Sequence, residues 1–244
     1  MFLNRVTKLH DRIPSQQDYP FSIPAIRTMD EIEIAANVTF FVGENGSGKS
    51  TLLEAIADKC EFNTAGGGRN NTYEVHASDS ALGDYIRLSW MPKVTNGFFL
   101  RAESFYQFSS HLDEVDTTGF RDYGGKSLHH QSHGESFLSL FLHRFKGQAI
   151  YLLDEPEAAL SPARQLAFLR VLYDLAEKEE CQFIIATHSP ILLGYPGADI
   201  LSFDHGKISS IRYEESDHYQ ITRYFLENRE RYLNELLKEE QDDE

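Results

Sequence analysis

Three apolar runs dominate the patterning of the chain. Thr39-Phe-Phe-Val42, Ala149-Ile-Tyr-Leu-Leu153 and Phe183-Ile-Ile-Ala186 carry almost no polar position, which predicts buried strands of the kind found inside a parallel sheet. Helical spacing follows the first run from Ser50 to about Lys59, through Leu52, Leu53 and Ile56, and follows the second from about Pro162 to Glu179. Shorter strands are predicted at Ile86–Trp90, Gly97–Leu100, Ile200–Phe203 and Lys207–Arg212, the last two joined through an Asp204-His-Gly206 turn. Residues 1–37 read as strands and turns punctuated by Pro14, Pro20 and Pro24, with Ile32 and Ile34 alternating with Glu31 and Glu33 as on a half-buried strand. Ser104 caps a predicted helix through Phe105, Phe108 and Leu112, and Phe137–Phe145 forms an amphipathic one. A last helix is predicted from about Asp217 to Leu237, whose Ile221, Tyr224, Phe225, Tyr232, Leu233, Leu236 and Leu237 could pack on the core or form a partner-docking surface, core packing being the favoured reading.

Composition adds bounds to this picture. The 244 residues, 41% apolar and 12% aromatic, are enough for one large domain with its own core. A net charge of −15 argues against a surface that coats nucleic acid, although a local basic groove stays compatible with it. Part of that charge lies in Glu239–Glu244, a solvated tail that with the preceding helix makes up residues 217–244. Cys60 and Cys181 have no metal or disulfide spacing, no run reaches 18 apolar residues, and Met1-Phe-Leu-Asn-Arg-Val lacks a signal-peptide apolar core. A reducing cytoplasmic setting without a transmembrane segment is expected.

The candidate chemistry sits where the apolar runs end. Gly43-Glu-Asn-Gly-Ser-Gly-Lys-Ser-Thr51 fits G-x-x-x-x-G-K-[S/T] between a strand and a helix. Its glycines let backbone N–H groups cradle phosphates, Lys49 can reach the β and γ phosphates, and the Ser50 hydroxyl can ligate Mg²⁺. The second run delivers Asp154 and Glu155 to a strand end, where adjacent residues point to opposite sides and so take different tasks. Asp154 is assigned to the Mg²⁺ shell and Glu155 to the attacking water. The third run presents His188 at its end, as a γ-phosphate sensor. Ser132-His-Gly-Glu135 opens the 137–145 helix and could bind an anion or simply cap the helix. Tyr19 and Phe21, upstream of the loop, are aromatic candidates for base stacking or for the core.

Taken in order, these motifs resemble the ATP-binding-cassette (ABC) ATPase superfamily, from Phe40 to about Asp204. Gly43–Thr51 matches Walker A, and Ile150–Glu155 matches Walker B. Ala159-Leu160-Ser161 stands at the D-loop, and His188 at the switch histidine. Ser132, His133, Gly134 and Glu135 look like the signature, with His133 and Glu135 departing from the usual Leu-Ser-Gly-Gly-Gln. The Q-loop lacks an obvious glutamine; Glu103 is the nearest polar match and a candidate Mg²⁺ contact. Asp154-Glu-Pro-Glu157 and Ala186-Thr-His-Ser-Pro190 look more like the SMC, RecF and OLD branch, often described as AAA-family ATPases, than like transport cassettes.

The resemblance implies an α/β P-loop NTPase with an ABC-type core, a mixed sheet flanked by helices. A small helical signature lobe would be inserted at about 60–147. It also implies Mg²⁺-dependent ATP hydrolysis that closes and opens a head-to-tail homodimer, the signature of one chain contacting the γ-phosphate held by the other. Such a switch would act on DNA or a protein partner, in repair or phage defence. The alternative reading is the nucleotide-binding subunit of an ABC transporter.

Overall fold

The computed structural model describes residues 1–64, 66–69, 81–102, 105, 109–110, 133–143, 147–178 and 180–237. Its centre is a six-stranded sheet in the order β5-β6-β7-β3-β8-β9. The strands are β3 (Val38–Val42), β5 (Gly97–Arg101), β6 (Ile150–Asp154), β7 (Gln182–Ala186), β8 (Asp199–Ser202) and β9 (Ser209–Ile211). β5, β6, β7, β3 and β8 run parallel, while β9 returns antiparallel after the predicted Asp204–Gly206 turn. The three apolar runs are the central strands because both of their faces are covered. Phe40, Tyr151, Leu153, Phe183 and Ile185 enter one core cluster, and their neighbours Phe41, Leu152 and Ile184 enter the other.

Helices α3 (His133–His143) and α4 (Pro162–Lys178), with the short α5 (Pro190–Leu193), cover the first face. Phe137 and Phe141 of α3 pack edge-to-face on Phe168 of α4, the nearer pair of rings being 4.6 Å apart. The second face carries α2 (Lys49–Lys59), α1 (Pro24–Thr28) and a three-stranded antiparallel sheet of β2 (Glu31–Glu33), β1 (Leu3–Lys8) and β4 (Ile86–Trp90). Ile32 and Ile34 are buried as their alternation with glutamates requires. Residues 86–101, inside the 60–147 stretch expected to form a separate lobe, therefore supply β4 and β5 to both core sheets.

α1 was not expected in a segment read as strands and turns. It rests on Lys8, which is 4% exposed and donates its ammonium to the carbonyls of Ile26 (2.8 Å) and Arg27 (2.6 Å) in the last helical turn. Burial holds the Lys8 pKa below the usual lysine value, with Asp30 opposing. The two sheets are joined by Gln182 of β7, which is wholly buried. Its Oε1 accepts from the amides of Phe2 (3.0 Å) and Leu3 (2.8 Å), and its Nε2 donates to the Leu3 carbonyl at 2.7 Å. Gln182→Leu would leave three backbone groups unpaired at about 1–3 kcal/mol each, a total of about 3 kcal/mol or more. A melting temperature lower by roughly 6–12 °C is the expected result in calorimetry, and a loss under about 2 °C would show that the clamp is not stabilising.

The C-terminal helix is broken in two, α6 (Asp217–Glu227) and α7 (Arg229–Leu236), at Asn228 with φ −130° and ψ 35°. Neither helix buries a residue, so the expected core packing of Ile221, Tyr224, Phe225, Tyr232, Leu233, Leu236 and Leu237 does not occur. Their aromatic members pack on one another instead, Tyr232 lying 5.8 Å from Tyr224 and 5.7 Å from Phe225. Among the described residues no helix is long and apolar enough to cross a membrane.

Candidate active site

Strand register brings the motifs to one edge. Phe41 pairs with Ala186, Val42 with Ser202, and Asp154 with both Ala186 and Arg101. The Gly43–Thr51 loop, Asp154-Glu155 and His188 therefore leave the carboxyl ends of β3, β6 and β7 side by side, the usual ligand edge of an open α/β sheet. The loop is tight. Gly43 has φ +140°, and a Cβ there would lie 2.9 Å from Asp204 Oδ1; Gly48 has φ +105°, and its Cβ would meet Ile23 and Ile26 at 3.1 Å. Only glycine fits either position without strain. Asp204 also accepts from the Glu44 amide at 2.9 Å, tying the loop to the turn after β8.

Glu44, Asn45, Gly46 and Ser47 line a cavity of about 350 Å³ beside that turn. Lys49 opens α2, is 4% exposed, and donates to the carbonyls of Gly43 (2.6 Å) and Glu44 (3.0 Å). Burial lowers its pKa, against the pull of Glu155, Asp204, Asp154 and Glu44. Thr51 is buried in the first turn of α2, and its hydroxyl lies 3.3 Å from that of Tyr19. Tyr19 is 58% exposed at the loop's side, whereas Phe21 is core, edge-on to Tyr85 at 5.0 Å.

The two acids diverge as their strand positions demand. Asp154 is 5% exposed; its Oδ1 accepts from Ser50 Oγ at 2.9 Å and its Oδ2 from Arg101 Nε at 3.2 Å. Arg101 also reaches Glu54 of α2, itself 5% exposed. Burial raises the Asp154 pKa, and Arg101 and Ser50 oppose that rise. A hydroxyl and a carboxylate oxygen 2.9 Å apart, in a pocket where burial disfavours bare negative charge, are a donor pair suited to a hard cation such as Mg²⁺. Glu155 sits in the left-handed region (φ 49°, ψ 52°), starts the short turn Pro156–Ala159, and donates its amide to the Ala186 carbonyl at 2.9 Å. Its half-exposed carboxylate lies 3.5 Å from His188 Nε2.

His188 is held at its amide and at one ring nitrogen, and its other ring nitrogen faces an acid. Its amide donates to Glu157 Oε1 at 2.6 Å, its Nδ1 lies 2.7 Å from Nε2 of His218 in α6, and its Nε2 faces Glu155. Burial, then Lys49 and His218, pushes its pKa down to about 4, so the ring is neutral at physiological pH. Nε2 of His188 and the Ser47 hydroxyl are buried atoms without a hydrogen-bond partner among the described residues. Both belong to the sheet edge where the motifs meet, which supports a ligand there.

The residues expected to form the D-loop follow Glu155 on the same edge. Ala159 closes the 156–159 turn, Leu160 is buried and Ser161 is exposed before α4. Gln165 of α4, 8% exposed, donates to the Leu160 carbonyl at 3.0 Å and accepts from Ser189 Oγ, joining the D-loop to the His188 turn. Ser132 and Glu103 lie outside the described residues. His133 and Gly134 open α3, and exposed Glu135 pairs with Arg164 of α4 at 3.4 Å. The residues that sequence reasoning missed, Arg101, Glu54, Asp204, Gln165 and His218, all meet the motifs through contacts distant along the chain. The one visible signal is that Arg101, a charged residue, directly follows the apolar 97–100 run, which says nothing of its partners.

Two family models match the chain. Residues 127–194 match "AAA domain, putative AbiEii toxin, Type IV TA system", and residues 25–118 match "AAA domain". An OLD nuclease of Thermus scotoductus is 42% identical over 53 residues, 22% of this chain and 9% of that protein. The zinc import ATP-binding protein ZnuC of Halorhodospira halophila is 25% identical over 186 residues, 72% of this chain and 66% of that protein. The chain thus spans under two thirds of either relative. The SMC head domain from Thermotoga maritima superposes with a TM-score of 0.44 and 16% identity, covering 87% of this chain and 99% of that one.

Proposed function

We propose that this chain, a P-loop ATPase of the ABC-type, SMC-like class, hydrolyses Mg²⁺-ATP to close and open a head-to-tail homodimer. The observation that carries this reading is the meeting of Lys49, Ser50, Asp154, Glu155 and His188 on one sheet edge, with Ser50 against Asp154 and Glu155 against His188. Backbone amides of Gly43–Thr51 and the Lys49 ammonium bind the phosphates. Ser50 and Asp154 would hold Mg²⁺, which would supply neutralisation of phosphate charge when bound. Glu155 orients the attacking water and takes its proton, and the neutral His188 ring donates its N–H to the γ-phosphate. Ser132 and Gly134 would meet the partner's γ-phosphate, with His133, Glu135 and the Ala159–Ser161 D-loop around it.

The motion is proposed to act on DNA or a protein partner. The similarity to ZnuC favours a second reading, a transporter's nucleotide-binding subunit. Purifying the ATP-locked protein and identifying what accompanies it, DNA or a non-membrane protein on the first reading and a membrane subunit on the second, separates the two.

Lys49→Ala tests the site itself. It is expected to abolish ATP binding by calorimetry and to lower hydrolysis by about 10²-fold or more, the scale of removing a charge-stabilising donor. A wild-type protein without Mg²⁺-dependent ATPase activity, or a Lys49→Ala protein that hydrolyses normally, would refute it.

A further inference from the structure

His188 has one ring nitrogen turned toward the reacting edge and one turned away, toward the C-terminal helices. A neutral imidazole carries a single N–H, so which nitrogen bears it decides whether the ring can donate toward a phosphate. We propose that His218 is a positioning residue: its Nε2–H donates to His188 Nδ1 and so keeps the His188 proton on Nε2. This rests on the phosphate-sensing role given to His188 above.

Two contacts on opposite sides of the ring agree on the assignment. Nδ1 of His188 and Nε2 of His218 are 2.7 Å apart, so one of them must donate and the other accept. On the far side, the Glu155 carboxylate lies 3.5 Å from His188 Nε2. If His188 donated from Nδ1, a bare Nε2 lone pair would face that carboxylate and would have nothing to offer a phosphate oxygen. If His218 donates, Nε2 carries the proton and faces an acceptor. The low pKa of His188 keeps the ring neutral, so the choice of tautomer is a real one.

His218 is also placed firmly enough to make the choice. Ser216, 1% exposed, caps α6 by accepting from the Tyr219 amide and donates to the Tyr213 carbonyl at 2.9 Å. Tyr213 in turn donates its hydroxyl to the Pro190 carbonyl at 2.9 Å, two residues beyond His188. The first turn of α6 is therefore pinned to the His188 turn at both Pro190 and the ring. The two imidazoles lie 4.9 Å apart between centroids, inclined at 43°. This gives α6 a task in a part of the chain that otherwise buries nothing.

The test compares wild type, His218→Leu and His218→Gln, whose amide can still donate. Imidazole ¹⁵N–¹H correlation spectra, with His188 assigned by its own substitution, should show the Nε2–H form in the wild type and in His218→Gln. In His218→Leu, where only Glu155 still biases the ring, an Nδ1–H population should appear beside the Nε2–H form. kcat should fall about tenfold in His218→Leu with the ATP dissociation constant unchanged, and His218→Gln should recover most of it, the scale expected when a ligand-orienting partner is lost. An Nδ1–H form in the wild type, or a His218→Leu protein with an unaltered tautomer and kcat, overturns the proposal. The spectra need no turnover. A wild type inactive toward ATP but with His188 in the Nε2–H form would therefore count against the hydrolytic reading and not against this one.

Discussion

Glu155→Gln should bind ATP as the wild type does, lose about 10²–10⁴-fold in kcat, and collect as an ATP-dependent dimer. The amide keeps the volume and one carbonyl oxygen but cannot take a proton from water, so the loss falls on the chemical step and leaves affinity alone. The main chain should tolerate the change. Residue 155 sits at φ 49°, a strain that Glu and Gln share, and it is fixed through its own amide to Ala186 and through its carbonyl to Ala158. Dimerisation follows if the signature serine of one chain reads the γ-phosphate held by the other, because a γ-phosphate that is not cleaved keeps both interfaces closed. Light scattering during size exclusion, with and without Mg²⁺-ATP, measures this directly. A strictly monomeric protein that binds ATP would sink the dimer reading while leaving nucleotide binding intact.

What could be read beforehand and what could not divide along one physical line. β3, β6 and β7 were visible because strands covered on both faces must be apolar throughout, and Phe40, Phe41, Leu152, Leu153, Ile184 and Ile185 satisfy that residue by residue. The Gly43–Thr51 loop was visible because its chemistry needs glycines and a lysine at fixed local spacing. Asp154, Glu155 and His188 were visible because each ends such a strand or follows it within two residues. Arg101 was not, since its value lies in register: only the pairing of β5 with β6 sets it beside Asp154. α1 was hidden because five residues give no helical period, and it depends on a buried lysine from another element. The C-terminal helices were predicted as core because an apolar face looks the same whether it meets a core or solvent. His218 had no signal in the sequence, since a histidine acquires meaning only when a second one is 2.7 Å away.

Arg101→Met should be the most destabilising single change near the site. The guanidinium, with 23% of its side chain exposed, bridges two carboxylates that are each only 7% exposed, Glu54 on α2 and Asp154 on β6. Removing it leaves both short of that cation in a poorly solvated place, and breaking a buried pair costs about 3–5 kcal/mol. A fall in melting temperature of roughly 6–20 °C is expected for a chain of this size. Arg101→Lys should recover only part of it, because one ammonium cannot span both acids as a planar guanidinium does.

The pH dependence carries its own sign. Asp154 already has a folded pKa above the ordinary carboxylate value because it is buried, and Arg101 is the largest influence holding it down. A carboxyl whose folded pKa is raised favours the folded state while it is protonated, and that contribution is lost as pH rises from the ordinary carboxylate range through the folded value. Without Arg101 that folded value climbs further. The deficit of Arg101→Met relative to the wild type should therefore be larger at about pH 8 than at about pH 5. Adding Glu54→Gln should reduce it, since one of the two buried carboxylates is then neutral. A variant that melts within about 1 °C of the wild type at both pH values would show that α2 and β6 do not depend on Arg101 to hold the Ser50–Asp154 pair together.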